Sequence, residues 1–149
     1  MKTEVVTVGL GYIGLPTAAI IADNGYQVLG VDKNTDIVNK VNAGNVHINE
    51  PSLESIVKKS VSKGSLKASN YPEPADIYVI CVPTPFINDD KIPKPDISHV
   101  IDDIQSIIPI LKKTDIVIIE STCPPGTTKL VSDLISKKFK DGEINIAYC

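Results

Sequence analysis

Gly9-Leu10-Gly11-Tyr12-Ile13-Gly14 sets three glycines at the spacing of a turn that cradles phosphate. Gly9 allows the tight turn, Gly11 lets backbone approach a pyrophosphate, and Gly14 lets the following helix lie against the preceding strand. The free N–H groups and positive dipole end of that helix, with Tyr12 and Ile13 at its start, would face the diphosphate. Pro16 is compatible with the first turn, whose N–H groups have no intrahelical partner. A glycine pattern alone is weak evidence, but here a second chemical group accompanies it. Asp32 follows Gly14 by 18 residues, near the spacing of about 20 at which a carboxylate accepts hydrogen bonds from the adenosine ribose. A carboxylate there repels a 2′-phosphate, so the expected cofactor is NAD rather than NADP. Lys33 pulls weakly the other way, being a flexible cation next door. The structural alternative for Asp32 is a turn or helix-capping residue.

Two further loops carry hydroxyls. In Val82-Pro83-Thr84-Pro85-Phe86 the prolines fix φ and remove donors, so the strand stops and Thr84 is held where its hydroxyl could meet a ribose or phosphate oxygen. Glu120-Ser121-Thr122 ends another strand, and Gly126-Thr127-Thr128 opens the next helix. Each loop by itself is ordinary turn chemistry. Cys81, Cys123 and Cys149 are too dispersed for a metal knuckle and imply no disulfide framework. Cys81 reads as a small core residue, and Cys123 has no base or cation near it in sequence to activate it. His47 reads as a structural hydrogen-bonder and His99 as solvent-facing. Asp89, Asp90 and Asp96 fit no calcium-loop spacing, so no metal site is expected.

The elements that must position these groups alternate strand and helix. Val5, Val6 and Val8 read as a buried strand, Ile13 to Ala22 as a helix, and Gln27 to Asp32 as a second strand. Thr35 to Ala43 is a helix stopped by Gly44. Ser52 is expected to cap a helix with apolar face Leu53, Ile56, Val57 and Val61, ended by Gly64. Leu66 to Ser69 and Ile77 to Val82 are strands, and Pro83 to Pro95 is a loop. Ser98 starts a long helix bearing Ile101, Ile104, Ile107, Ile108 and Leu111, with Pro109 expected to disturb its end. Ile116 to Ile119 is the most apolar strand. A helix burying Leu130, Val131, Leu134 and Ile135 precedes a last strand, Ile144 to Tyr148. The fold class is therefore α/β: a Rossmann-type, doubly wound, mainly parallel sheet with helices on both faces, in one domain over residues 1–149. Ligands on such sheets bind beyond the carboxyl ends of the strands. The glycine turn, the Thr84 loop and the Ser121–Thr128 loop are thus expected to converge on one crevice.

The composition is that of an ordinary soluble domain. Apolar residues make up 42%, charged residues 22%, and the formal net charge is −3, which argues against nucleic-acid or anionic-membrane binding. No apolar run is long enough to span a bilayer and Met1 to Glu4 shows no signal-peptide pattern, so a cytoplasmic location is expected.

Taken together, Val8 to Pro16, His47-Ile48-Asn49-Glu50-Pro51, the Thr84 loop, Glu120 to Thr128 and Asn145-Ile146-Ala147-Tyr148-Cys149 resemble the UDP-glucose/GDP-mannose dehydrogenase family, in the right order from end to end. The resemblance implies two NAD-dependent oxidations at C6 of a nucleotide sugar, giving a uronic acid for polysaccharide synthesis. In the family a cysteine captures the aldehyde, and a thioester is then hydrolysed. The His-Ile-x-Glu-Pro and Asn-Ile-Ala-Tyr-Cys wording points to UDP-N-acetyl-D-mannosamine as the UDP-sugar, with UDP-glucose the alternative that His47 disfavours. The residues matching the family's cofactor site are Gly9, Gly11, Tyr12, Ile13, Gly14, Asp32, Thr84, Thr122 and Thr128. Thr122 also matches the hydroxyl that helps hold a catalytic water. The family's catalytic cysteine, lysine and asparagine, its central dimerisation domain and its UDP-sugar domain have no counterpart in these 149 residues, so the chain is expected to be inactive alone. Cys149 ends a strand in the resemblance and is not the nucleophile. The whole protein is expected to be a homodimer or larger. A different reading remains: a free-standing nucleotide-sensing module built on one Rossmann unit.

Overall fold

The computed structural model describes residues 2–87 and 94–149. Asp89 and Asp90 lie outside the described residues. In chain order the elements are β1 (Val5–Val8), α1 (Gly14–Asp23), β2 (Val28–Val31), α2 (Thr35–Asn42), α3 (Leu53–Lys63), β3 (Leu66–Ser69), β4 (Ile77–Ile80), β5 (Phe86–Ile87), β6 (Lys94–Pro95), α4 (Ser98–Ile107), β7 (Ile116–Ile119), α5 (Thr127–Ile135) and β8 (Asn145–Tyr148).

Six strands form one sheet in the order β3-β2-β1-β4-β7-β8, and every pairing is parallel. Strand order reverses between β1 and β4, which opens a crevice beyond their carboxyl ends. Alternation along the strands sorts the core into two layers. Val6, Val8, Leu29, Val31, Tyr78, Ile80, Val117 and Ile119 pack with Val100, Ile104 and Ile107 of α4 and Val131 and Ile135 of α5. Val5, Val28, Val79 and Leu66 pack on the other face with Leu15, Ala18 and Ala19 of α1 and with Leu53 and Val57 of α3. Both faces are covered, as near-continuous apolar parallel strands require.

Several expectations are corrected. Ser52 does not cap α3 through its side chain. It sits in the left-handed region at φ 65°, and its carbonyl accepts from the Ile56 N–H and the Ser55 hydroxyl. The segment from Pro83 to Pro95 is not all loop, because Phe86–Ile87 pairs antiparallel with Lys94–Pro95. Two proline-flanked residues on each side suffice for a short ladder that needs few donors. Leu130 is 41% exposed rather than buried, since Val131 and Ile135 already face the sheet from α5. The disturbance expected at Pro109, by contrast, is borne out: α4 stops at Ile107, and a 3-10 turn follows over Ile108–Ile110. Lys138 Nζ donates to the freed carbonyls of Ile108 at 2.8 Å and Pro109 at 3.0 Å.

Candidate functional site

The chain leaves β1 through Gly9 at φ +90°, a backbone conformation that costs an L-residue energy and glycine none. A Cβ at Gly9 would also run into the Cys81 carbonyl, and one at Gly14 would run into the Gly9 carbonyl and the Cys81 side chain. These two glycines let the turn press against the end of β4. Gly11 differs: a Cβ there would meet nothing within 4 Å. Its missing side chain serves open space, where a ligand's phosphates would lie. Among the described residues, no acceptor engages the N–H groups of Gly11, Tyr12 or Ile13. Tyr12 is 68% and Ile13 55% exposed. Unpartnered donors at a helix start, beside space that only glycine leaves clear, fit a diphosphate.

Asp32 lies just past β2 and is half-buried. Its Oδ2 accepts from the Leu10 N–H at 2.9 Å and its Oδ1 from the Asn34 N–H at 2.9 Å. The turn alternative therefore holds, and each carboxylate oxygen still keeps a free lone pair. Asn70, after β3, donates from its side-chain amide to the Asp32 carbonyl at 2.9 Å. That bond fixes the end of β2.

A cavity of about 540 Å3 opens at the reversal of strand order, within the range of small-molecule sites. Gly9 and Gly11 of the turn line it, with Asp32 and Lys33 after β2 and Val82 and Pro83 after β4. Asn70, Tyr71 and Pro72 close one side, and His99, Asp102, Asp103 and Ser106 of α4 close another. His99 is exposed, as expected, but it borders this cavity rather than open solvent alone.

The third loop is not part of the cavity lining; it joins the site through hydrogen bonds. The Thr84 hydroxyl donates to the Thr122 carbonyl. With its proton directed there, the hydroxyl oxygen keeps acceptor capacity for a ligand. The Ser121 hydroxyl accepts from the Val82 N–H at 2.9 Å, so β4 and β7 are stitched together at their carboxyl ends. Thr122 is exposed. In the first turn of α5, Thr127 is buried and bonds back to the Pro124 carbonyl at 2.8 Å, leaving Thr128 as the half-buried hydroxyl of the pair.

Sequence reasoning passed over Glu120. Its carboxylate accepts from the Thr17 hydroxyl of α1 at 3.2 Å and from the Cys81 thiol at 3.3 Å. It ties the glycine-turn helix to β4 and β7. Burial, reinforced by the Glu120 charge, pushes the Cys81 thiol well above its ordinary range, which removes it as a nucleophile. Burial also pushes Cys123 up. The signal for Glu120 was present, as a carboxylate ending the most apolar strand. Its partners, 103 and 39 residues away in sequence, were not visible.

Comparisons with known proteins bear on this site. Residues 3–149 match the sequence profile of the UDP-glucose/GDP-mannose dehydrogenase family, NAD binding domain. The chain is 42% identical over 147 residues to a UDP-N-acetyl-D-mannosamine dehydrogenase of Methanococcus maripaludis, covering 98% of this chain and 33% of that protein. It is 42% identical over 152 residues to an NDP-N-acetyl-D-galactosaminuronic acid dehydrogenase of Ralstonia nicotianae, covering 95% of this chain and 35% of the relative. The solved UDP-N-acetyl-mannosamine dehydrogenase of Staphylococcus aureus superposes with a TM-score of 0.93 at 42% identity, over 98% of this chain and 36% of the other. The chain spans about a third of the length of the relatives it matches.

Proposed function

This chain belongs to the UDP-glucose/GDP-mannose dehydrogenase family, and we propose that residues 1–149 form the NAD-binding domain of an enzyme that oxidises C6 of UDP-N-acetyl-D-mannosamine to the uronic acid. NAD supplies the hydride acceptor for both oxidations. The observation that carries the reading is the glycine turn. Among the described residues the Gly11, Tyr12 and Ile13 N–H groups meet no acceptor, Gly11 leaves the approach clear, and Asp32 sits alongside.

In this reading Gly9, Gly11 and Gly14 shape the diphosphate cradle, while Tyr12 and Ile13 present N–H donors. Asp32 accepts from the adenosine ribose hydroxyls. Thr84, Thr122 and Thr128 serve the nicotinamide end. Thr84 accepts there, because its proton is held by the Thr122 carbonyl. The exposed Thr122 hydroxyl orients water for hydrolysis, as a neutral donor and acceptor that adds no charge beside the reacting carbon. Cys81 is unsuited to capture the aldehyde, since its thiol is buried and held protonated; the family resemblance implies a nucleophilic cysteine outside these residues.

The preference for the N-acetylmannosamine sugar rests on the His47 and Asn145 motifs and on the Methanococcus and Staphylococcus relatives. The Ralstonia relative makes the N-acetylgalactosamine sugar the first competitor to test. A homodimeric or larger full-length enzyme in the cytoplasm, where nucleotide sugars and NAD meet, completes the proposal. Among the described residues no helix is long and apolar enough to cross a membrane.

The test is turnover by the full-length protein. UDP-N-acetyl-D-mannosamine should yield two NADH per sugar, with UDP-N-acetylgalactosamine and UDP-glucose as comparison substrates. The 149-residue chain alone should bind NADH weakly and oxidise none of them. Absence of NADH with UDP-N-acetyl-D-mannosamine alone would refute the sugar assignment, and absence with every one of these substrates would refute the dehydrogenase reading.

A further inference from the structure

Lys33 stands one residue past Asp32, where a flexible ammonium would ordinarily reach a phosphate on the ribose 2′-oxygen. Its Nζ lies instead 3.0 Å from Asp103 Oδ1 on α4, a residue distant in sequence. The Asp103 side chain is 5% exposed and the Lys33 side chain 69%. Its buried place on α4 therefore fixes the acid, and the exposed lysine is the partner that has been drawn in. Both residues line the same cavity as Asp32. Burial pushes the Asp103 carboxyl up and Lys33 opposes that shift, so the ionised acid depends on the ammonium beside it.

We infer that Asp103 is a specificity-determining residue for the dinucleotide, holding Lys33 away from the ribose 2′ position so that a 2′-phosphate would meet the Asp32 carboxylate with no compensating cation. The inference rests on the NAD reading of this cavity and goes beyond the fingerprint, which assigns the choice to Asp32 alone. A 2′-phosphate faces two obstacles. It is repelled by Asp32, and recruiting Lys33 to offset that repulsion would strand a buried carboxylate, which is strongly unfavourable. A 2′-hydroxyl faces neither. The remaining charged groups on the cavity wall do not reverse the balance. Asp102 adds negative charge, and His99 stands near enough to Asp103 to favour its ionised form. Selectivity thus arises partly from a penalty built against the wrong ligand.

The test is fluorescence titration of the full-length protein with NADH and with NADPH, for wild type, Asp103→Asn and the Lys33→Ala/Asp103→Asn double variant. Thermal melts confirm folding, and Asp103→Ser replaces the asparagine variant if the amide disturbs packing. Asp103→Asn should raise the ratio of NADPH to NADH affinity roughly tenfold or more, the scale of a charge-assisted hydrogen bond. The double variant should return NADPH to its wild-type weakness. Equal weakening of both ligands would mean a packing role only and would overturn the inference. So would an unshifted NADPH to NADH ratio, or a gain that survives removal of Lys33. Failure of the wild type to bind NADH would overturn the NAD reading itself; NADH binding with no shift in the ratio overturns this inference alone.

Discussion

Asp32 Oδ2 accepts the Leu10 N–H at 2.9 Å, so the acid that ends β2 also fastens the glycine turn that ends β1. The two parts of the dinucleotide fingerprint are one hydrogen-bonded unit. Asp32 Oδ1 extends that unit to the Asn34 N–H at 2.9 Å, and Asn34 in turn caps α2 by accepting from the Asp36 N–H at 2.9 Å. The carboxylate therefore has a structural duty besides the ribose role proposed for it.

Asp32→Ala should weaken NADH binding by about 1.5–3 kcal/mol through the lost charge-assisted bond to ribose. It should also lower the melting temperature, because Leu10 and Asn34 lose their acceptor. Asp32→Asn, which keeps one acceptor oxygen, should fall between. Calorimetry and a thermal melt on the three proteins check both effects, and an unchanged affinity in the alanine variant would refute the ribose role.

Gly14→Ala should destabilise the fold itself. The added methyl would enter the Gly9 carbonyl and press on the Cys81 side chain, an overpacking that costs about 1–3 kcal/mol. A urea midpoint reads this directly. A wild-type midpoint would mean that α1 can back away from β4 without penalty.

Thr84→Val removes the hydroxyl that bonds to the Thr122 carbonyl. The loss should be about 0.5–1.5 kcal/mol, felt where the two loops meet rather than at the adenosine cavity. In the full-length enzyme kcat should fall while ADP-ribose binding holds, and Thr84→Ser should restore it. Equal loss of ADP-ribose binding would show that Thr84 acts elsewhere.

Stability should decline on the alkaline side. The Cys81 thiol and, more modestly, the Tyr78 phenol are pushed up by burial in the fold. Below about pH 8.5, the ordinary thiol value, both folded and unfolded states keep the thiol proton and nothing is lost. Above it the unfolded chain releases a proton that the native chain retains, so unfolding becomes progressively more favourable as pH rises. Urea midpoints across this range should fall in the wild type and fall less steeply in Cys81→Ala. Identical slopes would refute the assignment to Cys81.

The sheet was legible because its strands are short apolar runs punctuated by glycine and proline. Val5–Val8, Ile77–Ile80 and Ile116–Ile119 follow that pattern. The glycine turn and Asp32 were legible because their geometry is local or separated by one βαβ unit. What escaped was set by long-range placement. The Lys33–Asp103 pair and the Thr17–Glu120–Cys81 chain join residues that only the folded sheet brings together. Gly30 is a further case. It reads as an ordinary strand residue, yet a Cβ there would strike the Leu10 side chain, so its smallness seats the glycine turn over β2. Ser52 and Leu130 misled for the opposite reason: a good local pattern was overridden by backbone turn geometry in one case and by the limited width of a buried face in the other.

The most direct measurement is an NADH titration of wild type and Gly11→Val, each paired with a thermal melt. A side chain at Gly11 would enter open space, since among the described residues nothing beyond its chain neighbours lies within 4 Å of the added Cβ. Saturable binding to the wild type, abolished in the variant at an unchanged melting temperature, is the expected result. A Gly11→Val protein that still binds NADH as the wild type does would contradict the cradle.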